Sequence, residues 1–163
     1  MREKQKIKYY PSKNKKTETY IDGDTFVAKH FYDAKDAYVR EFISITNNVT
    51  KIKHITQNGV TSKLEHFVDG KRDGQEIKYF ISKADGTIKS TKFYSAGKLD
   101  GENITYNDKG SIIKHEVYAL GKSVLKYLRK DGKICDVTIL DQEGIKNLSQ
   151  IEFDKLQTFL TQK

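Results

Sequence analysis

Apolar and polar residues alternate one for one along most of this chain, as in Ile77-Lys78-Tyr79, Ile104-Thr105-Tyr106 and Leu125-Lys126-Tyr127. A period of two places every second side chain on one face of an extended strand, so the pattern predicts β structure rather than helix. Ile7 with Tyr9, and Ile52 with His54, head two further strands of the same kind. After each comes a turn signal and a second strand closing on two apolar residues: Tyr20-Ile21, Phe67-Val68, Phe93-Tyr94, Val117-Tyr118 and Ile139-Leu140. The turns carry Asn58-Gly59, Asp85-Gly86, Lys109-Gly110 and Asp131-Gly132, and residues that tolerate positive φ between alternating runs are strong hairpin signals. A degenerate unit from Thr25 to Thr46, turning near Asp33 to Asp36, completes about six hairpins.

The pattern is also repetitive. Asp69-Gly70-Lys71-Arg72-Asp73-Gly74 leads into Gln75-Glu76-Ile77-Lys78-Tyr79, and Ala96-Gly97-Lys98-Leu99-Asp100-Gly101 leads into Glu102-Asn103-Ile104-Thr105-Tyr106, 27 residues later. Fixed-period repetition favours an open array of stacked hairpins over a closed barrel or sandwich. Gly70, Gly74, Gly97 and Gly101 are its structural turns, with Gly74 and Gly101 expected where the chain reverses before each first strand. The tail differs. Ser149-Gln150-Ile151-Glu152 reads as a capping box, after which Ile151, Leu156, Phe159 and Leu160 fall near one helical face. The expected organisation is a hairpin domain over residues 1–144, clearest at 58–132, and a C-terminal helix within 145–163 that covers the sheet end.

At 163 residues one domain is the default, and 36% hydrophobic content with a mean hydropathy of -0.71 points to a thin, elongated shape rather than a thick core. Ten Tyr and eight Phe argue against disorder. Cys135 is the one cysteine, which excludes an intrachain disulfide, and no apolar stretch long enough for a signal peptide or a span follows the basic start. The sequence thus predicts a soluble cytoplasmic protein. Of the net charge of +8, most is local: residues 1 to 16 hold seven cations against Glu3. Lys4, Lys6 and Lys8 alternate, so on a strand they would present a line of positive charge to an anionic membrane or nucleic acid, or else guard an exposed edge.

Catalytic constellations are missing from the pattern. His30, His54, His66 and His115 have no metal-ligand spacing, and His54 occupies the aromatic slot of its unit, where packing is expected. Cys135 lies within apolar alternation and is expected to be a buried structural thiol. Gly121-Lys122-Ser123 lacks the first glycine and the following helix of a phosphate loop. The expectation is a chain that is not an enzyme, with no cofactor, metal or small-molecule substrate.

The paired Gly-Lys-x-Asp-Gly turns at Gly70–Gly74 and Gly97–Gly101, each followed by an apolar-x-Tyr strand, resemble MORN-type repeats. They resemble most the bacterial variant found in antitoxin components of toxin–antitoxin systems, with Ile77, Ile104 and Leu125 standing where those repeats often carry tryptophan. The resemblance implies an elongated single-layer antiparallel sheet of hairpins that contacts protein or lipid without catalytic residues. An antitoxin or immunity protein that sequesters a partner protein is the function it suggests. Tyr79, Tyr94, Tyr106, Tyr118 and Tyr127 are the candidate contacts, since Tyr offers large area at low entropy cost. The strand period leaves open which of them share a face.

Overall fold

The computed structural model describes residues 3–35, 39–83, 86–130, 133–141 and 144–147. These form one open antiparallel sheet, and no helix occurs among the described residues. Six hairpins follow in sequence: β1 (Glu3–Tyr9) with β2 (Lys15–Asp22), β3 (Thr25–Phe31) with β4 (Val39–Thr46), and β5 (Val49–Ile55) with β6 (Thr61–Val68). Then come β8 (Gly74–Tyr79) with β9 (Ile88–Ser95), β10 (Lys98–Tyr106) with β11 (Ile112–Ala119), and β12 (Lys122–Lys130) with β13 (Lys133–Asp141). The short β7 (Lys71–Arg72) pairs with β6 off the main path, and β14 (Gly144–Asn147) ends the order β1-β2-β3-β4-β5-β6-β8-β9-β10-β11-β12-β13-β14. The two ends do not pair, so the meander stays open rather than closing into a barrel. The sheet runs to Asn147, beyond the boundary expected at residue 144, and the helix expected near Gln150 lies outside the described residues.

A second repeat emerges that the sequence pattern hides. In all six hairpins the register slips once near the wider loop, leaving Lys16, Arg40, Ser62, Lys89, Ile113 and Cys135 as the extra residue of a β-bulge. Cys135 is therefore exposed, against the expected buried thiol: a bulged residue is turned out of the ladder, as Lys16, Arg40 and Lys89 are. Wider loops reverse at Gly59, Gly86 and Gly110, with φ of 79°, 76° and 81°, whereas Asp85 and Asp131-Gly132 lie outside the described residues.

At the other edge the chain reverses at Asp69-Gly70, Ala96-Gly97 and Leu120-Gly121, where both residues of each pair have positive φ. Gly74 and Gly101 do not make these reversals. Gly74 opens β8 and Gly101 sits inside β10, each within a two-residue offset of register, with φ of 89° and 99°. The offset frees the acid before each glycine to hold the next turn. Asp73 accepts the Ala96 N–H at 3.0 Å and Asp100 the Leu120 N–H at 3.4 Å, while the Arg72 and Leu99 carbonyls accept the Gly97 and Gly121 N–H, both at 2.7 Å. Turn chemistry in one unit thus fixes the turn of the following unit.

Directly paired residues share a face, so the registers assign every strand residue to one of two faces. On what we call the front, the central row runs Ala28, Ile43, Ile52, Glu65, Glu76, Lys92, Asn103, Glu116, Lys126. The corresponding back row runs Glu18, Lys29, Phe42, Lys53, Leu64, Ile77, Thr91, Ile104, His115, Tyr127, Val137. In these central rows the apolar residues cross from front to back between β5 and β6, although Tyr20 and Val27 are buried on the back of the N-terminal half as well. The apolar stripe ends in the core cluster of Tyr127, Ile134 and Val137, flanked by Leu125 and Ile139.

Replacing Gly101 by Ala tests the offset. A Cβ there meets the Phe93 Cβ at 3.4 Å in a backbone conformation that L side chains rarely adopt. Gly101→Ala should cost about 1–2 kcal/mol, read as a lower denaturation midpoint with unchanged slope.

Candidate functional site

The front of the C-terminal half carries a row of carboxylates that the alternation of apolar residues does not announce. Glu65, Glu76 and Glu116 are only 6%, 4% and 6% exposed, in a sheet where no large described side chain is fully buried. Buried charge persists when it is paired. Lys63 Nζ lies 2.8 Å from Glu65 and 3.3 Å from Glu76, and Arg72 Nη2 lies 2.8 Å from Glu65 and 3.8 Å from Glu76. Lys78 approaches Glu76 at 3.7 Å and Lys114 approaches Glu116 at 2.9 Å. Asn103 donates to Glu116 at 2.8 Å. The carboxylates form the floor, and the cationic heads above them are partly exposed, with the Lys78 and Arg72 side chains at 44% and 40%.

His54 ends this network, with Nε2 2.8 Å from Glu65 and Nδ1 3.4 Å from Glu41. The packing role expected of His54 gives way to a polar one, because its slot stands opposite Glu41 on β4 and beside the Glu65 row. Burial pushes the Glu65 carboxyl upward, but Lys63, His54 and Arg72 together outweigh it and hold the group below the ordinary glutamate range. Burial lowers the Arg72 value, and Glu65, Glu76 and Tyr94 more than restore it.

An aromatic row runs beside the carboxylates. Phe67, Tyr94 and Tyr118 occupy equivalent front positions on β6, β9 and β11, and Tyr94 and Tyr118 stand opposite Gly74 and Gly101. The Arg72 guanidinium lies 5.4 Å from the Tyr94 ring centroid. Tyr79 and Tyr106 lie on the back, one in each unit, so the five candidate tyrosines do not form one surface. Tyr127 is 4% exposed on the back and shares a 2.8 Å hydrogen bond with His115 Nδ1, which places it in the core. His115 Nε2 lies 3.3 Å from Glu102 but outside hydrogen-bond geometry, and burial lowers its pKa despite that carboxylate. Lys6 and Lys8 are exposed on the front of the outermost strand, opposite Thr19 and Thr17, and the Lys4 side chain lies outside the described residues.

Among the described residues no group of three His, Cys, Asp or Glu side chains is arranged to hold a metal ion, and no helix is long and apolar enough to cross a membrane. Apolar alternation does not reveal the ladder, because its glutamates occupy strand positions that the pattern treats as polar. Its signal is present, since Glu76 and Asn103 fill the same slot of the 27-residue repeat, and Glu65 and Glu116 each precede Phe67 and Tyr118 by two residues.

No family model and no curated protein matches the chain. Several solved structures resemble part of it, among them two of TarM. A Staphylococcus aureus TarM mutant in complex with fondaparinux, alpha-GlcNAc-glycerol and UDP is 14% identical over 66% of this chain and 19% of its own, with a TM-score of 0.34. A further TarM structure is 15% identical over 73% of this chain and 20% of its own, with a TM-score of 0.36. The chain thus spans about a fifth of the length of those structures.

Two titrations follow from the site. The folded Glu65 pKa is depressed, so the stability that Glu65 supplies is present above its unfolded value and lost as pH falls through the folded one. Glu65→Gln should cost about 1–3 kcal/mol at neutral pH and flatten the loss of stability below the usual carboxylate range, measured by denaturant titration. For His115 the depressed folded value means that the unfolded chain takes up the proton first. Stability should fall as pH drops below the ordinary histidine value of 6.5, and His115→Gln should lose that part of the pH dependence, read as melting temperature against pH.

Proposed function

We propose that the chain is a non-catalytic protein-binding repeat module of the MORN kind, an antitoxin or immunity protein that sequesters a partner protein in the cytoplasm. The observation that carries this reading is the aromatic row Phe67, Tyr94 and Tyr118 lying beside cations held in place by buried glutamates. Tyr and Arg are the residue types that dominate binding energy at protein interfaces. Glu65, Glu76 and Glu116 restrain Lys63, Arg72 and Lys114 before any partner arrives, so less side-chain entropy is lost on association. Equivalent aromatics stand two strands apart, or about 9.5 Å, giving a partner a regular set of anchors. The surface suits a protein whose contact patch is acidic at its rim and accepts aromatic side chains at its centre.

Basic residues at the start of the chain do not require a separate role. Lys6 and Lys8 line the outermost strand, where lysine discourages pairing with another sheet edge.

The test is co-expression with the product of the neighbouring reading frame, scored by recovery of growth and by light scattering of the purified complex. Replacing Tyr94 and Tyr118 together by Ala should weaken the complex by about 30-fold or more. Tyr106→Ala, on the opposite face, should leave it unchanged. Equal damage from Tyr106→Ala would refute the front face as the contact surface, and absence of any complex would refute the antitoxin reading.

A further inference from the structure

The back face of the N-terminal half has a different chemistry. On the back of β1 to β5, cations and aromatic rings alternate across strands in two rows. Tyr9 pairs with Lys15, whose ammonium lies 5.2 Å from the Phe31 ring centroid. Lys29 pairs with Phe42, and Phe42 pairs in turn with Lys53. Lys29 lies 5.3 Å from the Tyr20 centroid and 5.9 Å from that of Phe42. Lys51 adds a further exposed cation opposite Ser44.

Opposing charge is sparse. Glu18 is 6% exposed and already engaged by Lys15 at 3.3 Å and by Gln5 at 2.8 Å. Asp22 lies at the far edge, beside the Gly23 turn. Lys29 stands across from Glu18 and helps hold that carboxyl below the ordinary glutamate range, whereas among the described residues Lys51 and Lys53 form no ion pair, in contrast to Lys63, Arg72 and Lys114 on the front. Tyr9 is 60% exposed and Phe31 and Phe42 are half-buried, so ring surface remains open between the cations.

We infer that this face is a second binding site, separate from the proposed partner surface, and that its ligand is single-stranded nucleic acid. Cations spaced between aromatic rings match a chain of phosphates with planar bases between them, since lysine meets the backbone and each base has a π-face to stack. A duplex fits poorly, because its bases are already stacked on one another and leave no π-face for the rings to meet. An anionic bilayer shares the charge but not the geometry. Phe31 and Phe42 are half-buried with lysine ammonium groups 5.2 and 5.9 Å from their ring centroids, rather than gathered into an exposed apolar patch of the kind that enters a bilayer.

The experiment is fluorescence anisotropy of the full chain with a labelled oligothymidylate of about 20 nucleotides, beside a duplex of equal length and vesicles containing phosphatidylserine. Four lysines on four phosphates should lower affinity about 50-fold between roughly 50 and 200 mM salt. Lys51→Gln with Lys53→Gln should reduce the salt slope by about 1.4. Phe42→Leu, which keeps an apolar group in place, should weaken binding at least about fivefold with the melting temperature retained. The Tyr94→Ala, Tyr118→Ala variant should bind the oligonucleotide as the parent does, so this site can stand or fall apart from the partner surface. Tighter binding to duplex or vesicles than to the single strand, no binding at all, or indifference to both back-face variants would overturn the inference.

Discussion

Among the described residues no second layer lies on either face of the sheet, so a side chain is shielded from water only by neighbours on the strands beside it. Lateral contact between units is thus the interaction on which everything else depends. An isolated hairpin is marginal in water, and individual cross-strand pairs contribute only about 0.2–1 kcal/mol. Stability has to accumulate unit by unit along the path from β1 to β14. The edges show how the units are fastened. Asp73 and Asp100 hold the turns at Ala96 and Leu120, and on the other edge the Tyr10 and Tyr32 hydroxyls donate to the Phe31 and Ile55 carbonyls at 3.0 and 2.8 Å. In each case a residue of one unit satisfies a backbone group of the next.

The same constraint explains why carboxylates are buried in so thin a protein. The stems of Lys63, Arg72 and Lys78 lie over Glu65 and Glu76 and remove them from water while supplying the compensating charge. A thick core would have excluded such groups. Here the aliphatic part of a lysine performs the covering that a second layer performs elsewhere, and its ammonium is left at the surface.

Legibility in the sequence followed what single residues can encode. Positive-φ turns at Gly59 and Gly110, the six hairpins and the Gly70/Gly97 repeat were all readable, because glycine and alternation each have one strong structural meaning. The bulges were not. Lys16, Arg40, Ser62, Lys89, Ile113 and Cys135 share a position but no chemistry, and an inserted residue merely shifts the phase of alternation. Alternation alone therefore places Cys135 on the wrong side, and the reversals that the repeat suggests at Gly74 and Gly101 occur four residues earlier. The face occupied by each tyrosine depends on registers that no local pattern fixes. His54 shares its place in the repeat with Tyr79, but its partners, Glu41 and Glu65, come from the strands on either side, which no local pattern announces.

In the central rows of the sheet the apolar residues cross from front to back between β5 and β6, which gives the two halves different polar faces. In a two-layer protein such a crossing would expose half the core. In a single layer it costs little, because each face is covered only locally and by its own neighbours. The consequence is that one continuous sheet presents two polar surfaces on opposite sides: the carboxylate-floored cations of the C-terminal front, and the lysines interleaved with aromatic rings on the N-terminal back. They differ in what they can bind. Cations fixed by a row of buried acids suit a protein surface of defined shape, whereas Lys51 and Lys53, which form no ion pair among the described residues, can follow a flexible chain of charge. A repeat whose apolar stripe stayed on one side would have only one such surface, so the crossing is the feature that gives this chain two.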